Sequence, residues 1–182
     1  MRKFITLASA SVVLLSGCGT AAVDSATNSG HEKATSTLHA SRVKDYNSLA
    51  ELRGDSTAII RGTAGASTVQ KINQIPATTT SVRVSSKLWG SLPAKNISVL
   101  QIGQAGMALH DTSQILQHGQ EYLLYVKPFH LTPGDNTGRY IITGSQGIFK
   151  KDGTGGYTFA GAGEPALPKR IAATEMNKLS RA

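Results

Sequence analysis

The sequence predicts a mainly β domain: a small five-stranded barrel with a short N-terminal helix and a C-terminal helix. Three observations lead there. Apolar segments of strand length recur between Ser56 and Phe159, punctuated by Gly, Pro and Asn. Residues 79–88 alternate, with Val82, Val84 and Leu88 on one face and Arg83, Ser85 and Lys87 on the other. Period-two patterning of this kind marks a half-buried strand. The composition includes 19 glycines but only 5% aromatic and 16% charged residues, which suits a modest core edged by loops. A length of 182 residues fits one domain and a tail.

The elements follow in order. Ser48-Leu49-Ala50-Glu51 has the form of a capping box, and Leu49 and Leu52 share a face, so a short helix is predicted over 44–53, ended by Gly54 in the left-handed conformation. Residues 56–63 are rich in β-formers and give the first strand. A polar stretch over 65–78 reads as a connection, and 79–88 as the second strand. A turn at 89–93 leads to a strand over 96–102 with apolar residues on both faces, which implies cover from another element. A short helical turn is expected around Ile115 and Leu116, stopped by Gly119. Residues 121–127 form the most strongly buried strand, ended by Pro128, and the turn at 133–138 returns it as a hairpin through 139–143. A last hairpin spans 147–159 around Asp152-Gly153. Ile171, Ala172, Met176 and Leu179 set an apolar stripe for a helix over 168–180.

The first residues are a targeting pattern. Arg2 and Lys3 precede an uncharged apolar run over 4–16, shorter than the ~20 residues a membrane-spanning helix needs. The run ends in Leu15-Ser16-Gly17-Cys18. This resembles the bacterial lipobox. The resemblance implies cleavage before Cys18 and a diacylglyceryl group on its sulfur. Cys18 is the sole cysteine, so the mature chain has no disulfide, and lipidation accounts for a single thiol in an exported protein. The expected organisation is a signal peptide over 1–17, a lipidated cysteine and Ser/Thr/Ala-rich tether over 18–42, and a domain over 43–182. Loss of Arg2 and Lys3 leaves 17 basic against 11 acidic residues. That surplus suits anionic lipid or an anionic wall polymer. No long Lys/Arg run recommends nucleic acid.

The strand spacing through 58–62, 82–90, 97–99 and 116–124, with Gly119-Gln120-Glu121-Tyr122-Leu123-Leu124 as its one modest motif, resembles OB-fold and netrin-like domains of exported Gram-positive proteins. The resemblance covers about residues 48–145 and implies a five-stranded barrel. Netrin-like metalloproteinase inhibitors act through a free N-terminal cysteine and several disulfides, so that mechanism does not transfer.

No nucleophile elbow, phosphate-binding loop or metal-ligand spacing occurs, and neither a cofactor nor a metal is expected. His31 and His39 are expected to be solvated, His118 to sit at a helix C-terminus, and Asp111 to cap a helix. Tyr125, Phe129, His130 and Tyr140 are the candidate ligand-binding residues, as a stacking platform beside the loop joining the last two barrel strands, although the favoured reading of Tyr125 and Tyr140 is packing in or around the barrel. The expected function is a non-catalytic binding or scaffold module, anchored on the extracytoplasmic face, with an envelope protein or anionic wall polymer as partner. A protease inhibitor is the alternative. An envelope hydrolase using His110, Asp111 or His130 ranks last.

Overall fold

In the computed structural model, residues 37–39, 44–110, 112–130, 132, 134, 136–163 and 166–179 are described. The expected signal segment, Cys18 and all of the expected tether except 37–39 lie outside them. All described residues belong to a compact unit, Ala34–Ala182.

The unit is mainly β. In chain order the elements are β1 (Thr37–His39), α1 (Leu49–Gly54), β2 (Ala58–Ile72), β3 (Ile75–Gly90), β4 (Asn96–Ile102), β5 (Ala108–His110), β6 (Glu121–Pro128), β7 (Arg139–Ile142), β8 (Ile148–Lys151), β9 (Tyr157–Phe159), β10 (Arg170–Ile171) and α2 (Met176–Leu179). Short 3₁₀ turns cover Thr143–Ser145 and Ala173–Glu175. β1 and β5 form a separate parallel pair. The other strands make one eight-stranded sheet in the order β10-β9-β8-β6-β2-β3-β4-β7.

Within that sheet β2, β3 and β4 form an antiparallel meander, and β6 returns beside β2 as a Greek key. β7 then runs parallel to β4 and antiparallel to β6, so the pairings trace a five-strand ring. Its closure is slender: β7 is matched over three residues on each side. The observed architecture is thus one sheet with a partial ring, where a five-stranded barrel was expected. Three register shifts in β2 curl the strand around the ring. Gly62 makes the curl possible, because a Cβ there would come within 2.6 Å of Val82 Cγ1.

Two cores result. Inside the ring lie Ala58, Ile60, Val82, Ile97, Val99, Tyr122, Leu124, Val126, Tyr140 and Ile142. Outside it, on β2 and β6, Ile59, Leu123 and Tyr125 pack with Leu52, Phe149, Tyr157, Ile171 and Met176. Phe149 is fully buried, edge-on to Phe159 at 5.5 Å and tilted against Tyr125 at 6.3 Å. α1 closes this layer from the N-terminal side, with Arg53 over the Trp89 ring at 5.6 Å. Its cap is made as expected at Ser48, whose Oγ accepts from Glu51 N at 3.1 Å, but Glu51 accepts from Asn47 N rather than from Ser48. Gly54 is the last helical residue and has no positive φ.

Three expected elements differ. The polar stretch 65–78 is not a connection. It completes a long β2–β3 ribbon, turned by Asn73 and Gln74 at φ 50° and 66°. The stretch is mostly exposed, so it carries no buried period for a sequence reading to detect. The expected helical turn around Ile115 is absent; 113–117 runs without regular structure, because the Gln101 side chain takes its backbone groups. The C-terminal helix shrinks to four residues because Arg170 and Ile171 pair with β9 instead.

Asp152 organises the β8–β9 turn. Its Oδ1 accepts from Thr154 N, Thr154 Oγ1 and Gly156 N, and Oδ2 accepts from Arg170 Nε at 2.7 Å. The Arg170 hydrogen bond, with those from Thr154 and Gly156, holds this carboxyl well below the usual carboxylate range. A depressed folded-state value adds stability above the unfolded value and loses it as pH falls. We therefore expect Asp152→Asn to be less stable than the native chain at neutral pH. The difference should shrink below about pH 4, as read by denaturant titration at several pH values. Phe149→Ala should cost about 3–5 kcal/mol, since it empties the outer core at its centre, and the same denaturation measurement checks it.

Candidate functional site

The extended ribbon faces residues 104–107 and 112–118 across a groove of ≈ 630 Å³. Ser67, Val69 and Thr78 line it from the ribbon, and Met107, Ile115 and His118 from the opposite wall. Both walls are held by hydrogen bonds formed inside the domain. Gln101, 5% exposed, donates from Nε2 to Ser113 Oγ at 3.1 Å and Gln114 O at 2.8 Å, while its Oε1 accepts from Leu116 N at 2.9 Å. Gln117 N donates to the Tyr122 hydroxyl at 3.0 Å. On the ribbon side Thr78 Oγ1 donates to Gly103 O at 2.7 Å, and the Ser67 and Thr80 hydroxyls meet at 2.9 Å. The groove therefore has a fixed floor with an apolar side chain, Val69, left 57% exposed at its edge. Amides and hydroxyls dominate its polar lining, and His118 is the one titratable side chain among the described residues lining it. Such a surface can hold an extended chain by hydrogen bonds and apolar contact.

The four sequence-predicted site residues do not meet on one surface. Tyr125 lies in the outer core, fully buried. Burial pushes its phenol up, and its hydroxyl has no hydrogen-bond partner among the described residues. Tyr140 packs inside the ring, on the opposite side of the sheet. Phe129 is half-buried and His130 exposed at the end of β6. Phe129 anchors the β6–β7 connection through its backbone, its N donating to Arg139 O and its O accepting from Thr137 Oγ1. The stacking platform is therefore replaced by two core tyrosines and a loop. His118 sits in a turn rather than at a helix end. The His110 backbone belongs to β5, and Asp111, with its expected capping role, lies outside the described residues, as do His31 and the side chain of His39. The hydroxyl of Ser113 is taken by Gln101.

A second feature is electrostatic. Tyr157 Oη donates to Glu121 Oε1 at 2.5 Å and Lys151 Nζ to Glu121 Oε2 at 2.8 Å. Burial together with the Glu121 bond pushes the Tyr157 phenol up to about 12. Burial works to raise the Glu121 carboxyl, but the Lys151 and Tyr157 bonds outweigh it and hold it low. Lys44 pairs with Asp55 at 2.9 Å and Arg170 with Asp152. Each of these ion pairs lies at α1 or the β6–β10 side. On β3, Arg83, Ser85 and Lys87 are exposed, as their alternation predicts, whereas Leu88, expected to share a face with Val82 and Val84, packs with the outer core beyond the register shifts that set Lys87 opposite Ile60; no ion pair joins either cation to an acid among the described residues.

The groove was hidden in the sequence because it is made by the ribbon extension and the unwound segment. The Asn73-Gln74 pair was the one local sign of a hairpin there. Among the described residues no group of three His, Cys, Asp or Glu could hold a metal ion, and no helix is long and apolar enough to cross a membrane. No protein family, curated protein or solved structure matches the chain.

Gln101→Leu should strand the Leu116 N–H and the Gln114 carbonyl. We expect a loss of about 2–3 kcal/mol, with faster hydrogen exchange at Leu116 than at Leu124, measured by exchange mass spectrometry and denaturation.

Proposed function

We propose that this protein is a lipid-anchored, extracytoplasmic binding module with no catalytic role. Its β domain is read as an OB-like, netrin-like barrel. The observation that carries the anchor is the placement of the sole cysteine, Cys18, behind Leu15-Ser16-Gly17 at the end of an uncharged run preceded by Arg2 and Lys3. A thioether-linked diacylglycerol buries roughly 0.8 kcal/mol per methylene, and two chains give stable attachment. The Greek-key order of β2, β3, β4 and β6, with β7 linking β4 to β6, supports the OB-like reading.

Binding is favoured over catalysis by what lines the groove. Hydroxyls, amides and apolar side chains converge there with a single histidine, His118. General acid–base work calls for titratable groups set within hydrogen-bond reach of one another. A partner that enters as an extended chain, from an envelope protein or a wall polymer, suits the shape.

Mass spectrometry of the membrane fraction from cells making the full chain should show Cys18 as the first residue, bearing diacylglycerol. Cys18→Ala should leave the first seventeen residues attached and remove the acyl mass. A native chain with a free thiol at Cys18 would defeat the anchored reading.

A further inference from the structure

Cations and acids are segregated along this domain. Between Ser56 and Gln120 the chain carries Arg61, Lys71, Arg83, Lys87 and Lys95 against one acid, Asp111, which lies outside the described residues. The described acids are Asp45, Glu51, Asp55, Glu121, Asp152 and Glu175, all beyond that interval.

The ring explains which part of this surface is open. Its outer face along β2 and β6 is covered by the second core, whereas Ser81, Arg83, Ser85 and Lys87 of β3 are exposed. Register places Thr63, Arg83 and Asn96 in one cross-strand row and Ser81, Ser98 and Arg139 in the next. Neighbouring strands lie about 4.8 Å apart, so the row spacing brings these groups onto one patch. At its end Val84 N donates to Lys95 O at 2.7 Å, which seats Lys95 beside β3. Ser85, Ser86, Lys87 and Lys95 then share a hollow of ≈ 380 Å³ with Val84, Leu92, Pro93 and Ala94. Ammonium groups and hydroxyls with no acid among them form a surface that receives phosphate oxygens.

We propose that this outward face of β3 and β4 docks on the anionic phospholipid headgroups of the leaflet holding the anchor. The proposal rests on the lipid-anchored reading, in which 18 residues, 19–36, separate Cys18 from β1 and reach at most about 65 Å. A membrane is preferred to a soluble phosphodiester polymer because of the ribbon tip. Among the described residues Val69 and Ile75 are the exposed large apolar side chains, at 57% and 40%, and Lys71 lies between them in sequence. Apolar side chains beside a lysine suit the boundary between headgroups and acyl chains, which a polymer in water does not offer.

The test uses the chain from residue 19 onward, unacylated, sedimented with vesicles of phosphatidylcholine alone or with phosphatidylglycerol. Binding should require phosphatidylglycerol and weaken as salt shortens the Debye length, which is about 10 Å at 0.1 M. The combined variant Arg83→Glu, Lys87→Glu, Lys95→Glu should bind at least about tenfold more weakly, since each cation contributes separately near an anionic surface. Lys169→Glu, beside β10 at the other edge of the sheet from β3 and β4, should bind as the native chain does, and thermal melts should show both variants folded. Ile75→Ser, outside the groove lining, should weaken vesicle binding while leaving retention on lipid-free poly(glycerol phosphate) unchanged. Equal binding to both vesicle types, or full binding by the folded triple variant, overturns the proposal. Retention on the polymer without binding to vesicles assigns the face to wall polymer and overturns it equally. Because this chain carries no acyl group, failure here is separable from failure of the anchor, which the mass of native Cys18 reports.

Discussion

Residues 58–60 of β2 and 122–126 of β6 are buried on both faces, and the rest of the domain is arranged to satisfy them. Ile60, Leu124 and Val126 point into the ring, while Ile59, Leu123 and Tyr125 point out of it into a second apolar layer. A strand of this kind cannot face water on either side. The inner faces require β3, β4 and β7 to wrap round and enclose them. The outer faces require α1, β8, β9, β10 and α2 to lie across them. The short C-terminal elements thus complete the outer core. Ile171 and Met176 are buried there although β10 and α2 together form only six residues of regular structure.

The same constraint sorts the charges. Where the outer layer covers β2 and β6, polar groups at its rim need partners, and the acids Glu121, Asp152 and Asp55 supply them to Lys151, Tyr157, Arg170, Lys44 and Tyr46. Exposed ion pairs of this type add little stability individually, typically below 1 kcal/mol. Their effect here is to fix turns and chain ends, as Asp152 does through bonds to Thr154, Gly156 and Arg170. Beyond the covered region β3 and β4 have solvent outside, so Arg83 and Lys87 there need no partner for folding. Cations that make no ion pair among the described residues are available for recognition.

Much of this was legible from residue patterns, for identifiable reasons. β4 and β6 lie where their apolar runs place them, because a fully buried strand must be continuously apolar. The Ser48 cap and the Asp152 hairpin follow local rules that tertiary packing did not override. The ribbon tip was not legible, since Ser67–Ile72 is exposed on both faces and a strand without a buried face has no period. The unwound 113–117 segment was read as helical because Ile115 and Leu116 look like a helical face. What decides its conformation is Gln101, more than ten residues away in sequence, whose amide replaces the helix hydrogen bonds. The proposed platform failed for a related reason. Tyr125 and Tyr140 lie on strands paired in the same sheet, yet they point to opposite sides of it, and only the pairing register shows which.

The groove and the basic face both arise from the ribbon. β2 pairs with β6 from Ala58 to Thr63, Ala64 bonds to the backbone of Gly119 and Gln120, and the strand beyond is paired with β3. Extending a strand pair past its sheet exposes backbone and side chains without adding to the core, which is unfavourable unless the extension is used. Here one side of the extension forms a wall opposite 104–107 and 112–118, and its tip leaves Val69 and Ile75 in water. Exposed β-branched residues beside a lysine suit a surface that meets another phase better than one that meets only solvent. The core-forming half of β2 therefore accounts for stability, and its outer half is where this fold has surface to spare for binding.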